Sequence, residues 1–360
     1  MKQERTPDEP TAAWRAVAEW YHAYFTGIVL YVSSRHGTAS TAELVYEIFC
    51  RQRRERFLPG LQKLGLEKLP HAVAAAQYHY LSNHIGGVAV EYMYESDRKA
   101  WIRYAAPRWI WAGTALCGIA PEVSQAMLRG WHAQNGTMLR NPRLGFVCTK
   151  QTVDAQSGLE GYYYEYDRDL LPHERLRFAR DEDAPDFDAA KAPRLPTDQW
   201  PPARLAKAHR NYAMEYVRSA YPTALQLWGP DEAAHRLRMA GRMIGMQFYH
   251  EVAAGLGGGY APDAAGFARF VADLGSAHGD ACQLERASDG SHEVRQDGWA
   301  FMEGIGEYHP ALAGAWNGLI EGALQAHNRR LDMTLEARTA GQGYALAWKI
   351  GNRTRQGAEA

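Results

Sequence analysis

The sequence predicts an α+β fold built twice, as a tandem duplication of a helices-plus-antiparallel-sheet unit that forms a pseudo-twofold intramolecular dimer. Three observations carry this expectation. The chain matches itself at a shift of 192 positions, each copy runs from helical to alternating apolar periodicity in the same order, and an acidic, proline-rich stretch separates the copies. The expected boundaries are 11–176 for the first repeat, 177–203 for the linker and 204–350 for the second repeat.

The shift places His36-Gly37 on Trp228-Gly229, Leu64-Gly65 on Leu256-Gly257, Tyr78 on Phe270, Gly87 on Gly279, Ser96-Asp97 on Ser288-Asp289 and Arg103 on Arg295, without a gap. Further on it drops to 185–187, where Trp131-His132 meets Trp316-Asn317 and Asn141-Pro142-Arg143-Leu144 meets Asn328-Arg329-Arg330-Leu331.

Helical spacing predicts helices over about 11–32, 39–58 and 70–82 in the first copy, and 204–221, 230–256 and 262–275 in the second. Hairpins follow, with turns at Ser96-Asp97 and Ser288-Asp289-Gly290. A further helix starts near Pro121 and again near Pro310, since proline suits a first helical turn. Two closing strands end each copy, for an antiparallel sheet of about four strands. Residues 177–203 hold five prolines and no periodicity, which reads as a linker or surface arm.

Composition narrows the function. With 40 basic and 41 acidic residues in 360, there is no electrostatic footprint for nucleic acid or an anionic membrane. The polar start (MKQERTPDEPTAAW) and the absence of a long apolar run predict neither a signal peptide nor a membrane span. Cys50, Cys117, Cys148 and Cys282 lack C-x-x-C spacing, as suits reduced thiols in a cytoplasmic protein, so the N-x-T matches at Asn135 and Asn352 carry no meaning for glycosylation.

Several signatures fail. His250-Glu251 opens H-E-x-x-H, but Ala254 stands at the second histidine position. Gly255, Gly257, Gly258 and Gly259 follow a helix without phosphate-loop spacing and read as a helix end and turn. No P-loop and no G-x-S-x-G is present.

The segment WHAQNGTMLRNPRLGFVCTK, from Trp131 to Lys150, is the strongest candidate for chemistry. His132 and Asn135 lie three apart on one helical face, and Phe146, Cys148 and Lys150 share one strand face. His132 could then serve as acid/base and Cys148 as nucleophile, with Lys150 lowering the thiol pKa and Asn135 orienting or stabilising negative charge. The plainer reading makes Cys148 an apolar filler and His132 a hydrogen-bonded histidine.

Substrate-binding candidates are Trp131, Asn141 and Tyr162 in the first copy and Asn317, Glu321, His327 and Arg338 in the second. His79, Asn83 and His84, with Glu91 and Glu95 nearby, read as a solvated polar edge. Trp101, Trp109, Trp111 and Tyr162–Tyr164 suit a planar organic ligand or simple packing.

Each copy's ending, a W-(H/N) helix, an N-x-R-L strand and a second strand after a glycine turn, resembles the L-2-amino-thiazoline-4-carboxylic acid hydrolase-like proteins and, more distantly, the vinyl-reductase-type small-molecule-binding domains. The resemblance implies a pocket for a small carboxylated or heteroaromatic molecule and ring-opening amide or imine hydrolysis, and it assigns no residue.

The expected function is a cofactor-independent hydrolase of a small organic substrate at a C–N or C–S bond. The alternatives are a non-catalytic small-molecule or tetrapyrrole-binding protein and a metal-dependent catabolic enzyme. The expected partner is a small-molecule substrate, with no nucleic acid, no membrane, no metal and no cofactor; a homodimer is the open option for assembly.

Overall fold

The computed structural model describes residues 9–303, 305, 309–340 and 343–353; the polar residues 1–8 and Thr354 of the second N-x-T match lie outside them. The chain divides into two compact units, a central one of residues 29–209 and a split one that joins residues up to 28 with those from 210 onward.

Two expected helices run together as α1 (Glu9–Lys63), kinked where Gly37 takes φ 83° and ψ 172°. That backbone region favours glycine, so the chain turns there without ending the helical run. The residues of α1 beyond Ile28 belong to the central unit, where Leu44, Val45, Ile48, Phe57 and Leu61 recur at helical spacing and are buried.

In the central unit α2 (His71–Ile85) follows Pro70 and buries an alanine-rich face from Ala72 to Ala76, ending in Tyr78, His79 and Leu81. The hairpin of β1 (Val90–Ser96) and β2 (Lys99–Ala105) turns at Asp97-Arg98. The helix α3 (Pro121–Gly130) has proline in its first turn. Trp131 breaks it with φ −106° and ψ −74°, and a 3-10 turn over His132–Gln134 leads to the single-turn α4 (Asn135–Met138). The sheet is completed by β3 (Leu144–Lys150), β4 (Gly158–Glu165) and the short β5 (Leu176–Phe178), in the order β1-β2-β4-β3-β5. All pairs are antiparallel except β3 with β5.

A fifth strand of three residues is below what alternation can reveal, so the expected four-stranded sheet gains one here. On one sheet face Met93, Trp101, Val147 and Tyr162 form a core cluster covered by Ala179, Ala184 and Phe187. Residues after β5 therefore lie on the sheet as a surface arm, pinned where Ala184 N donates to buried Glu160 (3.1 Å) and the Tyr162 hydroxyl donates to Glu182 (3.1 Å).

The split unit combines the start of α1 with α5 (Pro202–Trp228) from Arg210 onward, α6 (Pro230–Gly255) and α7 (Ala264–His278). Asp263 caps α7 by accepting from Gly266 N at 2.8 Å. Its sheet is β6 (Ala281–Arg286), β7 (His292–Asp297), β8 (Leu331–Ala340) and β9 (Gly343–Asn352), antiparallel throughout in the order β6-β7-β9-β8. The helix α8 (Ala311–Asn328) precedes the last two strands.

Here α6 and α8 meet backbone to backbone. A Cβ at Gly245 would overlap the Leu319 carbonyl, one at Gly318 the Arg238 carbonyl, and one at Gly322 the Arg242 carbonyl. The fold class is thus α+β, with eight α-helices and two largely antiparallel sheets among the described residues. No helix among them is long and apolar enough to cross a membrane.

Candidate functional site

The central unit holds a buried polar group walled by aromatic rings. His79 comes from α2, His132 and Asn135 from the turn after α3, and Tyr163 from β4; all are at most 4% exposed. Gly136 explains how that turn reaches the sheet, because a Cβ there would overlap the Leu144 carbonyl and press on that of Asn141 at 2.8 Å. Only a residue without a side chain lets α4 lie this close to β3.

The hydrogen bonds form a chain. Asn135 Nδ2 donates to the Tyr163 hydroxyl oxygen (2.9 Å) and lies 2.8 Å from His79 Nε2, and the Tyr163 hydroxyl lies 2.7 Å from His132 Nδ1. Since Asn135 donates to the phenol oxygen, the phenol hydrogen is directed to His132 Nδ1 and the imidazole carries its own hydrogen on Nε2. By the same logic His79 accepts at Nε2, and the Tyr104 hydroxyl lies 3.4 Å from its Nδ1. Asn135 Oδ1 has no hydrogen-bond partner.

The two imidazoles stack at 4.2 Å between centroids, with Phe146 4.7 Å from His132 and the Trp131 indole N–H 3.1 and 3.0 Å from the two ring nitrogens of His79.

Burial sets the electrostatics. It pushes His132 down to about 3, aided by the Arg108 guanidinium, and His79 well below its ordinary value, aided by His132. Both are neutral at pH 7. The Tyr163 phenol is pushed well up by burial. Arg108 lies over the Tyr104 ring at 4.6 Å and is the cation whose charge acts on His132. Two neutral imidazoles, a phenol and an amide make a group that can pass protons and orient a ligand in a low dielectric, with no thiolate and no carboxylate hydrogen-bonded to it among the described residues.

The other sequence-derived candidates fall elsewhere. Cys148 is fully buried, and burial pushes its thiol up to about 12. The Cys148 Sγ donates to the Lys150 carbonyl at 3.4 Å, and no hydrogen bond joins it to His132 among the described residues. The Lys150 ammonium is turned to the surface arm, donating to the Arg180 carbonyl (2.9 Å) and pairing with Asp183 (2.8 Å). So His132 and Asn135 come together with Trp131, while Cys148 and Lys150 have other neighbours. Asn141 bridges His71 (3.0 Å) and Glu165 (2.9 Å), and Tyr162 lies on the face under the arm.

In the split unit, Asn317 accepts from Trp348 Nε1 (2.8 Å) and donates to Glu321 (3.2 Å), which Arg238 clamps at 2.7 Å. His327 Nδ1 lies 2.5 Å from the Tyr249 hydroxyl, and Arg338 pairs with Glu336 on the exposed face of β8. Among the described residues, no three His, Cys, Asp or Glu side chains are grouped to hold a metal ion.

His79, read as part of a solvated polar edge, is buried at 2% exposure and is the centre of the group. The signal that could have placed it is local: an imidazole on the buried alanine face of α2. Asn83 does fall on the same helical face, donating to the His79 carbonyl at 2.7 Å.

No known protein family, no curated protein and no solved structure matches this chain.

Proposed function

We propose that the chain is a cofactor-independent hydrolase of a small organic substrate, acting at a C–N or C–S bond in the central unit with the His79–His132–Asn135–Tyr163 group as its acid/base centre. One observation carries this reading: four polar side chains from three separate elements converge in hydrogen-bonded contact inside an aromatic wall, and one of their atoms, Asn135 Oδ1, is left unpartnered. Asn135 Oδ1 is one of several buried side-chain atoms without a hydrogen-bond partner among the described residues, and the one that belongs to this convergent group.

With the Cys148 thiol pushed to about 12, the reading uses water directly rather than an enzyme thiolate. Hydroxyl from water goes to the acyl or amidine carbon, the bond to nitrogen or sulfur breaks, and the leaving atom takes the remaining proton. The step is redox-neutral. Tyr163 and His132 Nδ1 relay the proton from the attacking water to the leaving atom, and His132, neutral at pH 7, carries it only in passing. The reading agrees in kind with the amide or imine hydrolysis that the family resemblance implies.

A tandem duplication goes with this proposal. What supports it is the pair Gly37 (φ 83°, ψ 172°) and Gly229 (φ 74°, ψ 169°) at the helix corners and the shared order of β1-β2-β4-β3 and β6-β7-β9-β8. In that reading the split unit's counterpart of His132 is Asn317, tied fully to Trp348 and Glu321, and activity resides in the central unit. Four unpaired cysteines suit a cytoplasmic setting.

The test is a panel of cyclic amides, imines and thiazolines incubated with the wild-type protein and His132→Ala, followed by mass spectrometry for the gain of one water. Turnover is expected in the wild type and a loss of about a hundredfold or more in the variant, with circular dichroism retained. Normal turnover by His132→Ala overturns the assignment.

The second reading, a ligand-binding protein without turnover, is favoured by the weak basicity of both imidazoles. It predicts stoichiometric binding and no mass gain.

A further inference from the structure

We infer that the ligand of the central group is a neutral, planar molecule bearing an N–H donor, of the cyclic amide or ureide class. This rests on the reading that the His79–His132–Asn135–Tyr163 group is the small-molecule site, and it adds the chemistry the ligand must bring.

The argument starts from the unmatched atom. Asn135 is wholly buried, its amide nitrogen serves both Tyr163 (2.9 Å) and His79 (2.8 Å), and its Oδ1 accepts from nothing. A buried acceptor without a donor is destabilising, so a bound molecule that brings a donor gains what folding left open.

The donor is not a cation. Both imidazoles beside Asn135 are held neutral by burial, no carboxylate hydrogen-bonds within the group among the described residues, and Arg108 already places a positive charge within reach of His132. An ammonium or guanidinium would enter desolvated and unpaired.

The aromatic faces packed around the group favour a flat partner that can stack on them. His79 and His132 stack at 4.2 Å, Phe146 lies 4.7 Å from His132, and the Trp131 ring meets His79 edge-on at 5.7 Å. A lactam or ureide ring presents N–H and carbonyl in one plane. Its N–H fits Asn135 Oδ1, and its carbonyl can take a hydrogen from the same group.

The experiment uses matched pairs on the full chain: δ-valerolactam against its N-methyl derivative, and dihydrouracil against its N,N-dimethyl derivative. Affinity is measured by titration calorimetry or ligand-observed NMR, and hydrolysis separately by mass spectrometry. The N–H compounds are expected to bind about tenfold or more tightly than their methylated partners, as loss of a hydrogen bond to a buried acceptor requires. The preference should shrink towards unity in Asn135→Ala; if that variant fails to fold, the wild-type pairs decide by themselves.

Equal binding within each pair, or binding of neither member, overturns the inference. The two proposals fail separately. N–H-selective binding without hydrolysis sinks the hydrolase and leaves the ligand class standing, whereas hydrolysis of methylated and unmethylated compounds alike sinks the ligand class and leaves the hydrolase standing.

Discussion

Alanine introduced along one stripe of α8 is expected to stabilise the protein at the first position and destabilise it at the next two. Gly314→Ala should stabilise the protein by about 0.5–1 kcal/mol, because a Cβ there meets nothing within 4 Å and glycine is a poor helix former. Gly318→Ala and Gly322→Ala should destabilise it by about 2–3 kcal/mol or more, because their Cβ atoms would run into the carbonyls of Arg238 and Arg242 on α6. Backbone atoms cannot rotate away as a side-chain end can, so the helices must separate.

Gly245→Ala, which meets the Leu319 carbonyl from the other helix, should behave like Gly322→Ala. Thermal or denaturant unfolding reads the effect directly, at roughly 2–4 °C in Tm per kcal/mol for a unit of this size. If all of these variants shift stability the same way, the close approach of α6 and α8 is not as described.

The second large effect is acid sensitivity of the central unit. His79 and His132 are lowered from an ordinary 6.5, His132 to about 3, by burial. Above pH 6.5 each is neutral whether folded or not, and their contribution is constant. Below it the unfolded chain takes up protons that the folded chain refuses, so stability falls with pH and goes on falling until the folded pKa is reached. The slope is at most about 1.4 kcal/mol per pH unit for each histidine, hence about 2.7 for the pair.

Denaturant midpoints measured from pH 7 to pH 4.5 should therefore fall steeply. In the split unit the balance differs. His278, lowered to about 3 by burial and by Arg210, acts in the same direction. Asp280, raised to about 6 by burial, opposes it, because its folded carboxyl holds a proton that the unfolded one releases between pH 4 and 6. Hydrogen exchange is expected to show protection lost first in β3, β4 and α2. A flat stability profile across this range would mean that the two imidazoles are charged or solvated in the folded protein.

Much of the architecture was legible because its punctuation is local. Gly37, Gly229, Pro121 and the Ser288-Asp289-Gly290 turn each act through their own backbone restrictions, and the helix limits fell close to where those residues stand. What a period cannot show is a three-residue strand such as Leu176–Phe178, held by pairing with β3 rather than by its own pattern.

The site was half legible. His132 and Asn135 announced themselves by spacing within one turn, whereas His79 and Tyr163 join them only through the packing of α2 and β4 on that turn. The proximity proposed for Cys148 rested on strand alternation, which places a side chain on a face but not against a given neighbour.

The position of Trp131 gives the group a built-in optical reporter. Its indole N–H lies 3.0–3.1 Å from both ring nitrogens of His79. An imidazolium at that distance withdraws electron density from the excited indole and quenches it, while a neutral imidazole does so weakly. The emission lost in Trp131→Phe therefore isolates light that follows the charge on His79, and any molecule that binds beside that ring should announce its arrival as a change in brightness before a product is ever sought.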